Sequence, residues 1–199
     1  MKKTGKTFLF VDGSNLYGSQ FSLFGPDKYL NFCKIIDQIS VSLNQTFDQI
    51  YFYASYSPKP TKPNKKQLTY LKNEGLFYKN VKSTPKLTFF KGYRSKTSGK
   101  EKEVDVKLAV DIVDFAHRNK YQKMFLMSGD ADFLHALLAV NVLNKDVNVI
   151  CMPNNVLFRA LIHFKTIILN IDHGKTVLKG YTNKPIFLNL ASSSFIEKA

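Results

Sequence analysis

Short continuous apolar runs alternate with amphipathic helical stretches along the chain, and that alternation predicts an α/β protein with three layers, α/β/α, around a mainly parallel central sheet. Strands covered on both faces read as unbroken apolar runs, and parallel neighbours need a crossover connection between them. Size is the second observation: 199 residues at 44% hydrophobic content are enough to enclose one substantial core. The third is what is missing. Cys33 and Cys151 lie far apart, with no CxxC pattern and no histidine at ligand spacing. This excludes a disulfide framework or zinc site and fits a reducing compartment. The FLFV run near the N-terminus is shorter than the roughly 7 apolar residues of a signal core, and no run approaches the roughly 18 of a membrane span. A cytoplasmic protein without membrane contact is expected.

The elements follow in order. KTFLFVD (6–12) is a buried strand ending in the turn chemistry of Asp-Gly-Ser-Asn. Residues 27–45 carry Tyr29, Phe32, Cys33, Ile36, Ile39 and Leu43 as a helical stripe, with Asp27 as N-cap after Pro26. QIYFYAS (49–55) is a second strand, the proline-rich segment 57–66 a surface loop, and QLTYLKNEGLF (67–77) a short helix closed by Gly75. FYKNV and KLTFF are two short strand candidates before the polar loop RSKTSGKEK. Then helix and strand alternate: helix 104–119, strand 123–128, helix 131–144, strand 147–153, helix 155–164 and strand 166–171. Residues 1–172 form the domain, and 173–199, with a possible strand at PIFLNL, read as an appended tail.

The formal net charge of +14 directs attention to polyanions, nucleic acid first. It is concentrated. Residues 59–102 hold 13 basic and 2 acidic side chains, a net +11, so the other 155 residues carry only +3. Six aromatics, Tyr70, Phe77, Tyr78, Phe89, Phe90 and Tyr93, interleave with those cations. Such a surface suits a phosphate backbone held by charge and bases stacked on rings, although core packing accounts for such rings equally well.

Against that background the carboxylates cluster. In an open parallel sheet, chemistry is expected just beyond the C-terminal strand ends. Asp12 ends the first strand with Asn15 three residues on, Asp130 and Asp132 follow the 123–128 strand in SGDADF, and Asp105, Asp111 and Asp114 lie on the preceding helix. These are six of only 15 acidic residues. Packed like charges repel, and a hard divalent cation, Mg²⁺ or Mn²⁺, compensates them while binding phosphate oxygens. Asp111, hemmed in by Leu108, Ala109, Val110, Ile112 and Val113, has little polar face, whereas Asp114 beside His117 and Arg118 reads as a solvated residue. Other motifs fail. Leu134 and His135 stand where an EF-hand needs a ligand and a glycine, and there is no P-loop, GxGxxG, HExxH or GxSxG.

FVDGSNLYG (10–18), KEVDVKLAVDIV (102–113) and SGDADF (128–133) together resemble the NYN domain, a branch of the PIN-like nucleases, over about residues 5–172. The resemblance implies a PIN-like, Rossmann-like topology and a metal-dependent ribonuclease site. In it, Asp12, Asp105, Asp130 and Asp132 hold one or two Mg²⁺ or Mn²⁺ ions, and Asn15 orients the first carboxylate or contacts substrate. Asp111 and Ser128 support the cluster from behind. RNA, single-stranded rather than duplex, is the expected substrate, with DNA as the alternative. Arg94, Lys96, Lys100 and Lys102, which directly precede Asp105, are expected to hold the strand, and Tyr17 to stack on a base. Two further functions fit the same pattern: a non-catalytic RNA-binding or regulatory protein that keeps the acidic pocket, and a phosphatase or nucleotidase. The +11 segment is more charge than a mononucleotide requires.

Overall fold

The computed structural model describes residues 5–26, 28–94, 101–170, 185–191 and 195–197. In chain order they form β1 (Thr7–Asp12), α1 (Gly13–Phe24), β2 (Lys28–Leu30), α2 (Phe32–Ser42), β3 (Gln49–Ala54), α3 (Lys65–Lys82), β4 (Leu87–Lys91), β5 (Tyr93–Arg94), β6 (Glu101–Lys102) and α4 (Val104–His117). There follow β7 (Lys123–Met127), α5 (Leu134–Val142), β8 (Asp146–Cys151), β9 (Lys165–Asn170), β10 (Ile186–Asn189) and β11 (Phe195–Glu197), with short 3-10 turns at Ala131–Phe133 and Phe158–Ile162.

Seven strands make the central sheet in the order β10-β9-β8-β7-β1-β3-β4, and every neighbouring pair is parallel. The apolar runs explain why. All six residues of β1 are buried, and its side chains alternate between the two faces of the sheet. Leu9 and Val11 join Leu16, Ile35, Ile39 and Phe77 from α1, α2 and α3 on one face. Phe8 and Phe10 join Leu108, Ile112, Leu137 and Val140 from α4 and α5 on the other. Each large side chain so buried contributes about 1.5–3 kcal/mol, so the two cores together hold the helices to the sheet. The expected three-layer arrangement is present. From β1 the chain winds outward to β3 and β4, then returns to the other side of β1 for β7 and continues to β10. The winding therefore reverses between β1 and β7, the place where a crevice opens at the C-terminal ends of parallel strands.

Several elements differ from the sequence reading. Asp12-Gly-Ser-Asn starts a 12-residue helix rather than a plain turn: Asp12 is its N-cap, and Leu16, Tyr17 and Gln20 bury one side of it. Helix α2 begins at Phe32 with Asn31 as N-cap, because Lys28–Leu30 pairs as an antiparallel strand with Phe195–Glu197. Asp27 lies outside the described residues. Helix α3 is not closed by Gly75 but runs from Lys65 to Lys82, since burial of Phe77, Tyr78 and Val81 outweighs the roughly 1 kcal/mol cost of an interior glycine. FYKNV is the end of that helix, not a strand. Residues 155–164 hold only a short 3-10 turn. Part of the tail is seated on the domain: β10 extends the sheet beside β9, with Leu188 and Leu190 buried. Among the described residues no helix is long and apolar enough to cross a membrane.

Candidate active site

Register places the end of β1 between β3 and β7. Asp12 lies opposite Tyr53 of β3, and Val11 opposite Met127 of β7, so Ser128 follows directly beside Asp12. As N-cap of α1, Asp12 accepts a hydrogen bond from the Asn15 backbone N–H at 3.0 Å through Oδ1. Its Oδ2 accepts from the Ser128 hydroxyl at 2.9 Å. The chain of contacts continues. Ser128 Oγ accepts from the Asp130 N–H at 3.0 Å, Asp130 Oδ1 accepts from the Asp132 N–H at 2.9 Å, and Asn15 Oδ1 accepts from the Gly129 N–H at 3.2 Å. Two turns, one after each strand, are thereby fixed to each other through Asp12 and Asn15.

Two glycines permit this close packing. A Cβ on Gly13 would stand 2.1 Å from the Phe52 ring, and one on Gly129 would stand 2.0 Å from the Asn155 carbonyl oxygen. Any larger residue pushes the turn away from the crevice.

Asp12 is only 2% exposed. Burial pushes its carboxyl pKa up to about 7; the hydrogen bonds from Asn15 and Ser128 oppose the rise, and the charges of Asp105 and Asp130 add to it. Ionised there, the carboxylate is destabilised chiefly by loss of water, and a nearby positive charge would offset that. Asp105 is exposed in the first turn of α4, the helix packed on the other face of the sheet, and its charge is felt at Asp12. Glu103, immediately before that helix, has φ of +72°, a left-handed backbone that non-glycine residues adopt at a cost.

The donor set is all carboxylate and amide oxygen, the type preferred by Mg²⁺ or Mn²⁺. Among the described residues no three His, Cys, Asp or Glu side chains stand close enough to surround an ion as placed. Mg²⁺ needs only one or two protein carboxylates, water and substrate phosphate completing its shell. Asp12 and Asp130, on the two adjoining turns, are of the type that could supply them, with the charge of Asp105 felt at Asp12 and Asp132 exposed two residues beyond Asp130.

Not every expected residue arrives there. Asp111 is buried on α4, but Tyr53 donates to its Oδ2 at 2.7 Å and Lys107 pairs with its Oδ1. Its carboxylate is thus taken up away from the crevice, about 9 Å along the helix from Asp105. Tyr53 was not singled out in the sequence, where its place near the end of the 49–55 strand was legible but the pairing of that strand with β1 was not. Tyr17 corrects an expectation: it is 2% exposed, its ring stacks on Phe77 at 5.6 Å, and its hydroxyl donates to the Tyr70 carbonyl at 2.9 Å. No face of it is left for a base. Arg94 and Lys102 lie on the two strands of the small β5–β6 hairpin that leads from the sheet edge to α4. Lys96 and Lys100 lie outside the described residues. Of the six interleaved aromatics, Phe77 and Tyr78 are core, and Tyr93 is 56% exposed.

The NYN domain family matches residues 6–171. None of the curated proteins matches the sequence significantly. Among solved structures, a protein of unknown function from Vibrio parahaemolyticus shares the fold with a TM-score of 0.62 and 14% identity, over 98% of this chain and 99% of that one. A nicotinamidase from Staphylococcus aureus is similar at 16% identity over 77% of this chain and 84% of that one, but its TM-score of 0.32 carries no argument.

Proposed function

The chain belongs to the NYN domain family, whose members are in general nucleases that use divalent metals, and from that membership we propose that it is a metal-dependent ribonuclease acting at the crevice between β1 and β7. The observation that carries the reading is Asp12: a buried carboxyl at the sheet's winding reversal, its pKa raised to about 7, with Asp105 and Asp130 adding negative charge beside it. A site of that kind attracts a divalent cation, and the cation in turn attracts a phosphodiester.

Asp12 and Asp130 would hold the Mg²⁺ or Mn²⁺ ion, with Asp105 and Asp132 adding negative charge around it. When bound, the ion supplies Lewis-acid polarisation of a phosphoryl oxygen and acidifies a coordinated water. The protein's own groups do the positioning. Ser128 and the Asn15 N–H fix both oxygens of Asp12, so its orientation needs no reorganisation when substrate arrives. Asn15 ties the Gly129 turn to α1 and so keeps Asp130 facing the same crevice. The lysines of the basic segment hold the strand by its phosphates, with Arg94, Lys96, Lys100 and Lys102 entering just ahead of Asp105.

The test is cleavage of a single-stranded RNA by the purified chain with Mn²⁺. Asp12→Asn and Asp130→Asn are expected to abolish cleavage and leave binding intact or tighter, because each removes negative charge facing the phosphates. Equal cleavage by both variants assigns the activity to a contaminant and removes the proposal. The +11 net charge of residues 59–102, which serves binding alone, favours a second reading, a non-catalytic RNA-binding protein that keeps the acidic pocket. Tight RNA binding with no turnover in Mg²⁺ or Mn²⁺ selects that reading.

A further inference from the structure

Between the second half of α1 and the start of α3, under the loop that leaves β3, lies a cavity of about 260 Å³. It is smaller than the roughly 300–1,000 Å³ of sites for drug-sized ligands, and suits one planar ring. Its walls are Phe21, Tyr70, Pro58 and Pro60, and Lys66 and Gln67 stand at its edge. The two aromatic rings meet edge to face at 4.7 Å, and both are half-buried, so each keeps a surface towards the cavity. The walls are braced from behind. Tyr17 packs edge-on against Tyr70 at 5.0 Å, and the buried Glu74 carboxylate accepts from both the Ser57 N–H at 2.9 Å and its hydroxyl at 2.7 Å, fixing the loop that carries Pro58. Gln67 uses its carbonyl to cap Asn64 at 2.9 Å, which directs its amide N–H groups elsewhere.

The segment that lines most of it is basic. Residues 55–73 include Lys59, Lys62, Lys65, Lys66 and Lys72 and no acidic residue, and Lys66 is in the lining itself. An apolar slot with aromatic walls in a lysine-rich segment matches one chemistry: a base stacked on rings while neighbouring phosphates lie among the cations. The slot is also linked to the candidate active site by a rigid element, since Phe21 lies nine residues after Asp12 along α1, about 13 Å at 1.5 Å per residue. That is within the span of the roughly 4–16 nucleotides covered by a compact single-strand site.

We propose that this cavity, walled by Phe21, Tyr70, Pro58 and Pro60, is a nucleobase pocket that takes one unpaired base of a single-stranded nucleic acid lying across the lysines of residues 59–72. The proposal rests on the proposed function only in taking the chain to bind nucleic acid, and not on its cleaving anything. Duplex is excluded, because a paired base presents no free ring to a slot. The ring at the surface is Tyr70, and Tyr17 serves as its support.

Affinity measured in EDTA, where no cleavage occurs, tests it. The probes are a fluorescein-labelled 12-nucleotide RNA of mixed sequence and a fully abasic oligomer of the same length. The wild-type chain is expected to bind the RNA about 10-fold more tightly than the abasic strand, the worth of about one stacked base. Phe21→Ala and Tyr70→Ala each erase that preference without weakening the abasic complex, and Tyr70→Phe, which keeps the ring, retains it. Photo-crosslinking of a thiouridine-substituted RNA to the wild-type chain is expected at Tyr70 or Phe21, and this readout stands even if an alanine variant folds poorly. Equal affinity of the wild-type chain for both strands, or equal loss on both strands in the alanine variants, overturns the proposal. So does a change in sedimentation of Tyr70→Ala without change in RNA affinity, which assigns the cavity to self-association. Loss of cleavage in Asp12→Asn with base preference intact leaves the pocket standing; absence of any cleavage with base preference intact removes only the nuclease reading.

Discussion

Replacing Asp12 with asparagine separates the cost of a buried charge from the shape of the side chain. The carboxyl rises from 3.8 in the unfolded chain to about 7 in the folded one. At about 1.4 kcal/mol per unit, holding it ionised in the fold costs ~4 kcal/mol. The sign follows from linkage. Below about pH 3 the group is protonated in both states and costs nothing. As pH rises from about 4 to about 7 the unfolded chain ionises first, so the wild-type chain loses stability across that window and levels off above it. Asparagine has no such dependence. Its Oδ1 still accepts from the Asn15 N–H, and its amide faces Ser128 Oγ, which also accepts from the Asp130 N–H. Rearranging that hydroxyl forfeits about 1 kcal/mol. Without divalent cations, Asp12→Asn is therefore expected to be about 1 kcal/mol less stable than the wild type at pH 3 and about 3 kcal/mol more stable at pH 8. The latter corresponds to roughly 6–12 °C in Tm for a chain of this size. Urea unfolding of both proteins at pH 3, 4.5, 6 and 8 in metal-free buffer measures the difference. A difference that does not change sign between pH 3 and pH 8, or that is the same at both, refutes the idea that ionisation of this carboxyl burdens the fold. Adding Mn²⁺ at 100 times its dissociation constant is expected to return about 2.7 kcal/mol to the wild type and little to the variant.

Gly129→Ala forces a Cβ to within 2.0 Å of the Asn155 carbonyl oxygen, so a loss of about 1–3 kcal/mol in thermal unfolding and a larger loss of cleavage are expected as the Asp130 turn shifts; unchanged behaviour shows that the turn relaxes freely. Glu103→Gly relieves the +72° backbone before α4 and is expected to stabilise by about 0.5–1 kcal/mol in denaturant titration. Tyr53→Phe removes a hydrogen bond to the Asp111 carboxylate and is expected to cost about 1.5–3 kcal/mol of stability while preserving turnover. A tenfold fall in turnover in a folded Tyr53→Phe protein shows instead that the pair acts on the site. RNA affinity is expected to fall about 50-fold between 50 and 200 mM salt if roughly four phosphates are neutralised, and a flat response removes the lysine surface from binding.

Much of the scaffold was legible because its strands are buried on both faces. β1, β3, β7 and β9 contain short unbroken apolar runs, and β8 one broken only by Asn148; that pattern is a property of the chain. Asp12, Asp130 and Asp132 were legible for a related reason: each closely follows such a run, where a parallel sheet gathers its loops. Helix α1 was not, since GSNLYGSQ has weak helical propensity and is held by burial of Leu16, Tyr17 and Gln20 against neighbours that are distant in sequence. The same blindness affected Tyr17. Periodicity cannot tell which face of an unread helix turns inward, so a residue beside the motif looked available for a base when it was packed against Phe77.

Composition and pattern by themselves determined the three-layer class, the parallel sheet, the uneven charge and the family signature. Those depend on residue type and spacing along one chain. The tertiary structure alone decided which carboxylates share a crevice. It placed Ser128 against Asp12 across 116 positions of sequence, and drew Asp111 away to Tyr53 and Lys107. It also raised the Asp12 carboxyl to about 7. Desolvation and charge coupling act through distance in space, and strand order β7-β1-β3 is what sets those distances.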